Sequence, residues 1–60
     1  MSNVTIVIDT DNAAFDDGNS GYELARILRM LANAYEDGYA EDKRLLDVNG
    51  NTVGQAVWTK

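Results

Sequence analysis

A single helical segment, between residues 20 and 37, most limits what this chain can fold into. Ser20-Gly21-Tyr22-Glu23 matches the capping box, in which serine accepts an amide hydrogen bond and glutamate reaches back to the serine amide. Gly38 suits the position after the last turn. Apolar residues in between recur with the helical period, and the face they predict holds Leu24, Ile27, Leu28, Leu31, Ala34 and Tyr35. One helix cannot bury such a face alone, so it must pack on another element.

Strand-type segments lie on both sides of this helix. In segment 3–9, Val4, Ile6 and Ile8 fall on one side of an alternating pattern, which predicts a strand with one core face. Segments 43–48 and 52–59 are also typical of strands. The Asn49-Gly50 pair between them predicts a hairpin with a type I′ turn, because both central residues of that turn need positive φ.

The resulting β-α-β-β order predicts one small α+β domain over residues 1–60, with the helix packed on a three-stranded, mainly antiparallel sheet. The last strand is expected in the middle of the sheet. The alternative places the first two strands side by side and parallel, through a right-handed crossover. In the acidic loop 9–19, Phe15 is expected to pack against the core. Gly54 is expected to mark a bulge or a close approach of helix and sheet.

The missing residue types exclude most enzymatic chemistry. The 60 residues include no cysteine and no histidine. Thiolate zinc sites and disulfides therefore cannot form, and the commonest proton shuttle is lacking. Paired carboxylates remain, but glycoside hydrolysis needs a concave sugar site for which so short a chain has little room. We predict that the protein is not an enzyme, has no catalytic residue and uses no cofactor.

The acids after the first strand do not match a calcium loop. Counted from Asp9, an EF-hand needs an acid and a glycine where Ala13 and Ala14 stand. Counted from Asp47, Gly50 comes two residues early. Asx turns and a favourable position near a helix N-terminus account for these acids without a metal. We predict no metal site, and an irregular, weak calcium site is the alternative.

The net charge of −5 is concentrated at the start of the chain. Up to Ala25 there are five acids and no lysine or arginine, whereas five of each sign follow. Solubility alone explains acids in a small protein. Unevenly placed carboxylates also imitate phosphates, however, and attract a Lys/Arg channel that normally holds DNA. The predicted contact residues are Asp11, Asp16 and Asp17 on the loop and Glu36, Asp37, Glu41 and Asp42 at the other end, with Tyr22 and Tyr39 as anchors.

The helix offers an alternative contact surface. Its apolar arc is wide, with Met30 at one edge and Ala25 and Ala32 at the other. A deeply packed helix explains this width, and the alternative is a protein-binding or oligomeric module that uses the apolar edge. No signal peptide or membrane-spanning stretch is recognisable, so we expect no membrane association.

Three stretches resemble small proteins encoded by phages and mobile elements of proteobacteria. They are Asp9-Thr10-Asp11-Asn12-Ala13-Ala14-Phe15, Glu23-Leu24-Ala25-Arg26-Ile27-Leu28 and Leu46-Asp47-Val48-Asn49-Gly50-Asn51-Thr52-Val53-Gly54. Together they extend over nearly the whole chain, and their motifs are a loop, a capped helix and an Asn-Gly hairpin. Within this group, the chain resembles small acidic anti-CRISPR proteins that act on type I-C systems.

This resemblance implies a DNA mimic that binds the Cascade surveillance complex and blocks recognition of the protospacer-adjacent motif. The expected partner is the large, motif-reading subunit of Cascade. The protein itself is expected to act as a monomer in the host bacterial cytoplasm, without binding nucleic acid directly. No individual residue's role is carried over from the resemblance, and the acidic contact residues follow from the charge distribution alone.

Overall fold

The computed structural model describes residues 2–16, 18, 20–38 and 41–59. It contains strand β1 (Asn3–Ile8), a 3-10 turn (Ala13–Phe15), helix α1 (Ser20–Glu36), and strands β2 (Lys43–Leu46) and β3 (Thr52–Thr59). The predicted α+β architecture, with one helix and a three-stranded sheet, is confirmed. The structure ends the first strand, the helix and the second strand one or two residues before the predicted 3–9, 20–37 and 43–48.

The sheet has the order β1-β3-β2, and both strand pairs are antiparallel. The last strand therefore lies in the middle, as predicted, and the parallel alternative is wrong. Asn3 pairs with Thr59 at one end of the β1–β3 ladder, and Ile8 pairs with Gly54 at the other. The ladder continues one residue beyond β1, because the Asp9 N–H donates to the Val53 carbonyl oxygen at 2.7 Å.

Gly54 lies where β3 is bulged and a neighbouring strand approaches closely. Leu45 faces Gly54 and Leu46 faces Thr52, so Val53 is an extra residue on β3. A Cβ at position 54 would collide with the Val7 carbonyl oxygen and would lie 2.9 Å from the Ile8 Cα. The close neighbour is therefore β1, whereas the sequence pattern suggested the helix.

The hairpin between β2 and β3 does not use the predicted type I′ turn. The Gly50 N–H donates to the Asp47 carbonyl oxygen at 3.0 Å, so Val48 and Asn49 are the central residues of the turn. Gly50 follows them with a φ of 85°. This is a three-residue hairpin loop that ends in a left-handed glycine. The Asp47 carboxylate favours it, since Oδ1 accepts the N–H groups of Asn49 and Asn51, both at 2.8 Å.

The capping box predicted at the start of α1 is also absent. The Ser20 hydroxyl donates to the Phe15 carbonyl oxygen at 2.6 Å. The Glu23 carboxylate accepts hydrogen bonds from Arg26 and from the Val48 N–H, and not from Ser20. Phe15 itself is buried beneath the loop, as expected. The serine therefore joins the helix to the 3-10 turn, and the glutamate joins it to the hairpin.

The core lies between α1, the 3-10 turn and the β2 side of the sheet, and it consists of Phe15, Ile27, Leu31, Leu45, Val53 and Ala56. The helix contacts β2 and the 3-10 turn more extensively than it contacts β1. Val4 and Ile6 were predicted to face the core, but each remains 44% exposed. Leu28, predicted on the buried helix face, is 42% exposed. One helix displaced toward β2 leaves the β1 side of the sheet partly uncovered.

Candidate interaction surface

Most of the predicted contact residues lie on the surface. Tyr22 is 77% exposed in the first turn of α1. Asp17 and Tyr39 lie outside the described residues. The predicted acids that the structure describes are all exposed: Asp11, Asp16, Glu36, Asp37, Glu41 and Asp42.

Together with Asp9, which is also exposed, these acids form two groups at opposite ends of α1. The loop-end acids are Asp9, Asp11 and Asp16, and the helix-end acids are Glu36, Asp37, Glu41 and Asp42. The Asn12 side-chain amide donates to Asp47 Oδ2 at 2.6 Å, which places the loop beside the hairpin turn. The Tyr35 hydroxyl donates to the Glu41 carbonyl oxygen at 2.8 Å at the other end. Since α1 has 17 residues, the two groups are separated by about 25 Å along its axis.

Among the described residues, no neighbouring side chain neutralises the loop-end acids. Asp9 Oδ1 accepts the Asp11 N–H at 2.9 Å, which orders the loop without supplying a positive charge. In the ranges 2–16, 18, 20–38 and 41–59, none of the three forms an ion pair. Their carboxylates are therefore available to a cationic partner.

The helix-end acids differ in how far the fold already uses them. Glu41 forms an ion pair with Lys43 at 3.3 Å, and Asp42 Oδ1 accepts the Trp58 N–H at 2.8 Å. Glu36 and Asp37 lie at the C-terminal end of α1, where the helix dipole disfavours negative charge. These two are consequently the helix-end acids that an external cation would stabilise most.

Glu23 adds to the negative charge of the chain but is buried, with 4% exposure. Arg26 donates to its carboxylate from Nε at 2.6 Å and from Nη2 at 3.2 Å, and the Val48 N–H donates at 2.9 Å. The Arg26 hydrogen bonds hold the pKa of Glu23 below its usual range, against the opposing effect of burial and with the help of the Val48 N–H. The same pairing raises the pKa of Arg26. Glu23 therefore acts within the fold rather than on its surface.

Asp47 is the second buried acid, also at 4% exposure. Burial raises the pKa of Asp47, but hydrogen bonds from the backbone and side chain of Asn51, from Asn12 and from the Asn49 N–H outweigh it, so the pKa is lowered. Its spacing from Asn49 and Asn51 in a predicted hairpin was the available sequence signal for this role. Glu23 and Asp47 together connect helix, loop and hairpin, and neither belongs to the interaction surface.

Two apolar grooves flank α1. The β2-side groove has a volume of about 170 Å³ and is bordered by Met30, which is 58% exposed, and by Leu46. The β1-side groove has a volume of about 260 Å³, and Tyr35 and Trp58 lie at its end. Their rings meet edge to face, with centroids 5.7 Å apart, and Trp58 Nε1 donates to the Tyr35 hydroxyl at 3.1 Å. This packing gives the two aromatic residues a structural role.

Within the described ranges, no three acidic side chains are grouped so that they would hold a metal ion. No helix in these ranges combines the length and the apolar character needed to cross a bilayer. Comparisons of the chain with protein-family models, with curated proteins and with solved structures find no match.

Proposed function

We propose that this protein is a non-enzymatic inhibitor whose exposed carboxylates occupy a cationic, nucleic-acid-binding groove of a partner protein. The observation that supports this proposal is the division of the acids into buried and exposed sets. Glu23 and Asp47 are satisfied inside the fold. The seven described exposed acids form only the Glu41–Lys43 ion pair among the described residues. Most of the exposed carboxylates are thus not paired with a described cationic side chain and can contact a partner.

Such binding depends on several contacts acting together. An exposed ion pair contributes less than about 1 kcal/mol, so no single carboxylate accounts for tight binding. Tyr22 follows the loop-end acids in the sequence, and its ring is exposed. Tyrosines of this kind contribute a large share of the binding energy at many protein interfaces. Charge complementarity accelerates association and makes it sensitive to salt.

The sequence resemblance to type I-C anti-CRISPR proteins suggests the partner. We propose the large, motif-reading subunit of Cascade, which binds the protospacer-adjacent motif through the groove that the acids would occupy. The site of action would then be the cytoplasm of the host bacterium. Inhibition requires no catalytic residue and no cofactor, because occupation of the groove excludes the target DNA.

Two variants of equal charge test this proposal on purified type I-C Cascade. Asp11→Asn/Asp16→Asn neutralises loop-end acids, and Glu36→Gln/Asp37→Asn neutralises helix-end acids. Each double variant removes two negative charges. Because the two variants have the same net charge, a difference between them reports the position of the contact and not the total charge. We expect the pair at the contact to weaken inhibition of DNA binding by about tenfold or more, and wild-type binding to fall steeply between about 50 and 200 mM salt.

The proposal fails if both double variants inhibit DNA binding as well as the wild type does. It also fails if wild-type binding is unchanged over that range of salt. Circular dichroism of each variant, compared with the wild type, establishes that any loss of inhibition comes from the surface rather than from unfolding.

A second candidate function is a protein-binding module that uses the β2-side groove. The exposed Met30 side chain beside this groove favours it. Met30→Glu should abolish partner binding in this case, whereas Asn33→Glu, at another exposed position of α1, should not. The two variants change the charge equally. Binding that withstands salt and is lost only in Met30→Glu would support this function over the acidic inhibitor.

A further inference from the structure

Strand β1 is an edge of the sheet with an unusually apolar and uncharged sequence. Its residues, Asn3–Ile8, include no charged side chain and no proline. Val4 and Ile6 on one face are each 44% exposed, and Val7 on the other is 57% exposed. An apolar edge strand invites pairing with another strand, and soluble proteins usually protect it with charge, proline or covering structure.

The opposite edge, β2, has the protection that β1 lacks. It is only four residues long and includes Lys43 and Arg44. Its Leu46 carbonyl oxygen accepts a hydrogen bond from Arg26 Nη2 at 3.0 Å. In the part of the chain that the structure describes, no side chain forms a comparable bond with the outer edge of β1.

The register shows which backbone groups of β1 point away from the sheet. The Asp9 N–H bonds to Val53, so the odd-numbered residues of this segment direct their N–H and C=O groups toward β3. The even-numbered residues Val4, Ile6 and Ile8 therefore direct theirs outward. These three residues alternate along the strand as an antiparallel partner requires.

In place of the monomer expected from the sequence, we propose that β1 pairs antiparallel with β1 of a second copy of this chain, about a two-fold axis between the two Ile6 residues. In this register Ile6 exchanges both backbone hydrogen bonds with Ile6 of the second copy. Val4 does the same with Ile8 of the second copy. Every outward-directed group of β1 is then satisfied, and each copy contributes the same surface, as a two-fold interface requires.

The surrounding charges favour a second copy as the occupant. Continuing the register places Asp9 opposite Asn3 of the second copy, so a carboxylate meets an amide rather than another acid. The paired strands themselves are uncharged. With a net charge of −5, two copies of the chain repel each other wherever their acidic surfaces meet. The uncharged β1 strands can approach each other with the least repulsion.

The β1-side groove continues the proposed interface. Val4 and Ile6 line this groove together with Leu28 and Ala32 of α1. A two-fold axis perpendicular to the sheet places both helices on the same face of a continuous sheet, and the two grooves meet across the axis. The half-exposed Val4, Ile6 and Leu28 side chains are then covered. The dimer does not depend on the acidic inhibitor function, because the paired strands are uncharged and Asp9 is the one loop-end acid that the register places beside them.

Chemical synthesis of the chain with an N-methylated Ile6 amide tests the proposal. The methyl group blocks the outward N–H and leaves the Ile6 side chain and all hydrogen bonds to β3 intact. N-methylation of Arg44, whose N–H points outward from the β2 edge, is the matched control. Sedimentation should show wild type and control at twice the 6.6 kDa chain mass, with dimer affinity reduced about tenfold or more by the Ile6 modification.

Amide exchange of the unmodified chain provides a test that no variant can confound. The Val4, Ile6 and Ile8 amides should be protected in concentrated solution and lose protection on dilution. The Thr5 and Val7 amides, which bond to β3, should be protected at both concentrations. A chain that stays monomeric up to about 1 mM with rapidly exchanging Val4, Ile6 and Ile8 amides overturns the proposal, and so does a dimer that N-methyl-Ile6 leaves unchanged.

Discussion

The carboxylate of Glu23 accepts a hydrogen bond from the Val48 N–H at 2.9 Å, across 25 positions of sequence. Glu23 is itself held by Arg26, which also donates to the Leu46 carbonyl oxygen at 3.0 Å. One pair of neighbouring helical side chains therefore binds both a donor and an acceptor of the hairpin. The orientation of the hairpin relative to α1 depends on this buried ion pair.

Glu23→Gln should destabilise the domain. Glutamine removes the charge that holds Arg26 and replaces one carboxylate oxygen with an amide nitrogen that cannot accept the Val48 N–H or an Arg26 bond. We expect the melting temperature to fall by roughly 5–15 °C. Thermal unfolding followed by far-ultraviolet circular dichroism measures the change.

Glu36→Gln is the matched control for this prediction. Glu36 is an exposed glutamate of the same helix, at the end where negative charge is unfavourable. Its replacement should leave the melting temperature unchanged or raise it slightly. If the melting temperature fell equally in the two variants, the loss of charge, and not the loss of the buried contact with the hairpin, would account for the destabilisation.

Acid should weaken the fold through Glu23 and Asp47. Both carboxyl groups have a pKa that is lower in the folded protein than its ordinary value, 4.5 for Glu23 and 3.8 for Asp47. The unfolded chain therefore binds protons at a higher pH than the folded chain does. The contribution of each group to stability is complete above its ordinary pKa and is lost as the pH falls through its folded value.

Urea unfolding between about pH 7 and pH 3 tests this dependence. The midpoint concentration should be constant at neutral pH and fall below about pH 4.5. The midpoint should fall less steeply with decreasing pH in Glu23→Gln, because this variant lacks one of the two carboxyl groups. A midpoint that stays constant down to about pH 3 would contradict the lowered pKa values.

Gly54→Ala should destabilise the sheet severely, because the added methyl group would collide with the Val7 carbonyl oxygen and the Ile8 Cα of β1. We expect a loss of about 2–3 kcal/mol. This is a large share of the total stability of a chain of this size, about 3–9 kcal/mol. Urea unfolding of the variant gives the free-energy difference.

Gly21→Ala is the control for glycine replacement. A Cβ at position 21, in α1, would meet no described atom within 4 Å apart from its chain neighbours and the helix's own backbone. Alanine there should stabilise the domain by up to about 1 kcal/mol, because it restricts the unfolded chain and favours the helix. Destabilisation by both alanines to the same extent would argue against a local collision at position 54.

Tyr35→Phe should loosen the aromatic pair at the end of the β1-side groove. The Tyr35 hydroxyl donates to the Glu41 carbonyl oxygen and accepts from Trp58 Nε1, so its removal costs about 1 kcal/mol. Trp58 is the only tryptophan of the chain, and its emission should shift to longer wavelength as the ring becomes more hydrated. An unchanged spectrum in a folded variant would contradict this packing.

The sequence predicted the features that depend on a local residue pattern, and it predicted the strand order because few arrangements of these elements are possible. Alternation and helical period were sufficient to predict the strands, the helix and the central position of β3. Phe15 was predictable because it is the one large apolar side chain in a polar loop. Two short strands joined by a hairpin, with a third strand before the helix, allow few arrangements that cover one helix.

Two of the errors came from side chains that compete for the hydrogen bonds of a predicted motif. Ser20 and Glu23 have the spacing of a capping box, but the Val48 N–H and Arg26 occupy the glutamate instead. Asn49-Gly50 has the composition of a type I′ turn, but the Asp47 carboxylate moves the turn by one residue. The Val48 N–H becomes a neighbour of Glu23 only in the folded molecule, whereas the Asp47 carboxylate competes locally, two residues from Asn49.

The central position of β3 affects how the chain folds as it is made. Both outer strands leave the ribosome before the strand that joins them, so neither can complete the sheet early in synthesis. Until β3 is made, the residues of β1 lack the strand with which they pair in the sheet. The sheet can therefore form only after β3 has been made, and β1 needs protection from aggregation during this interval.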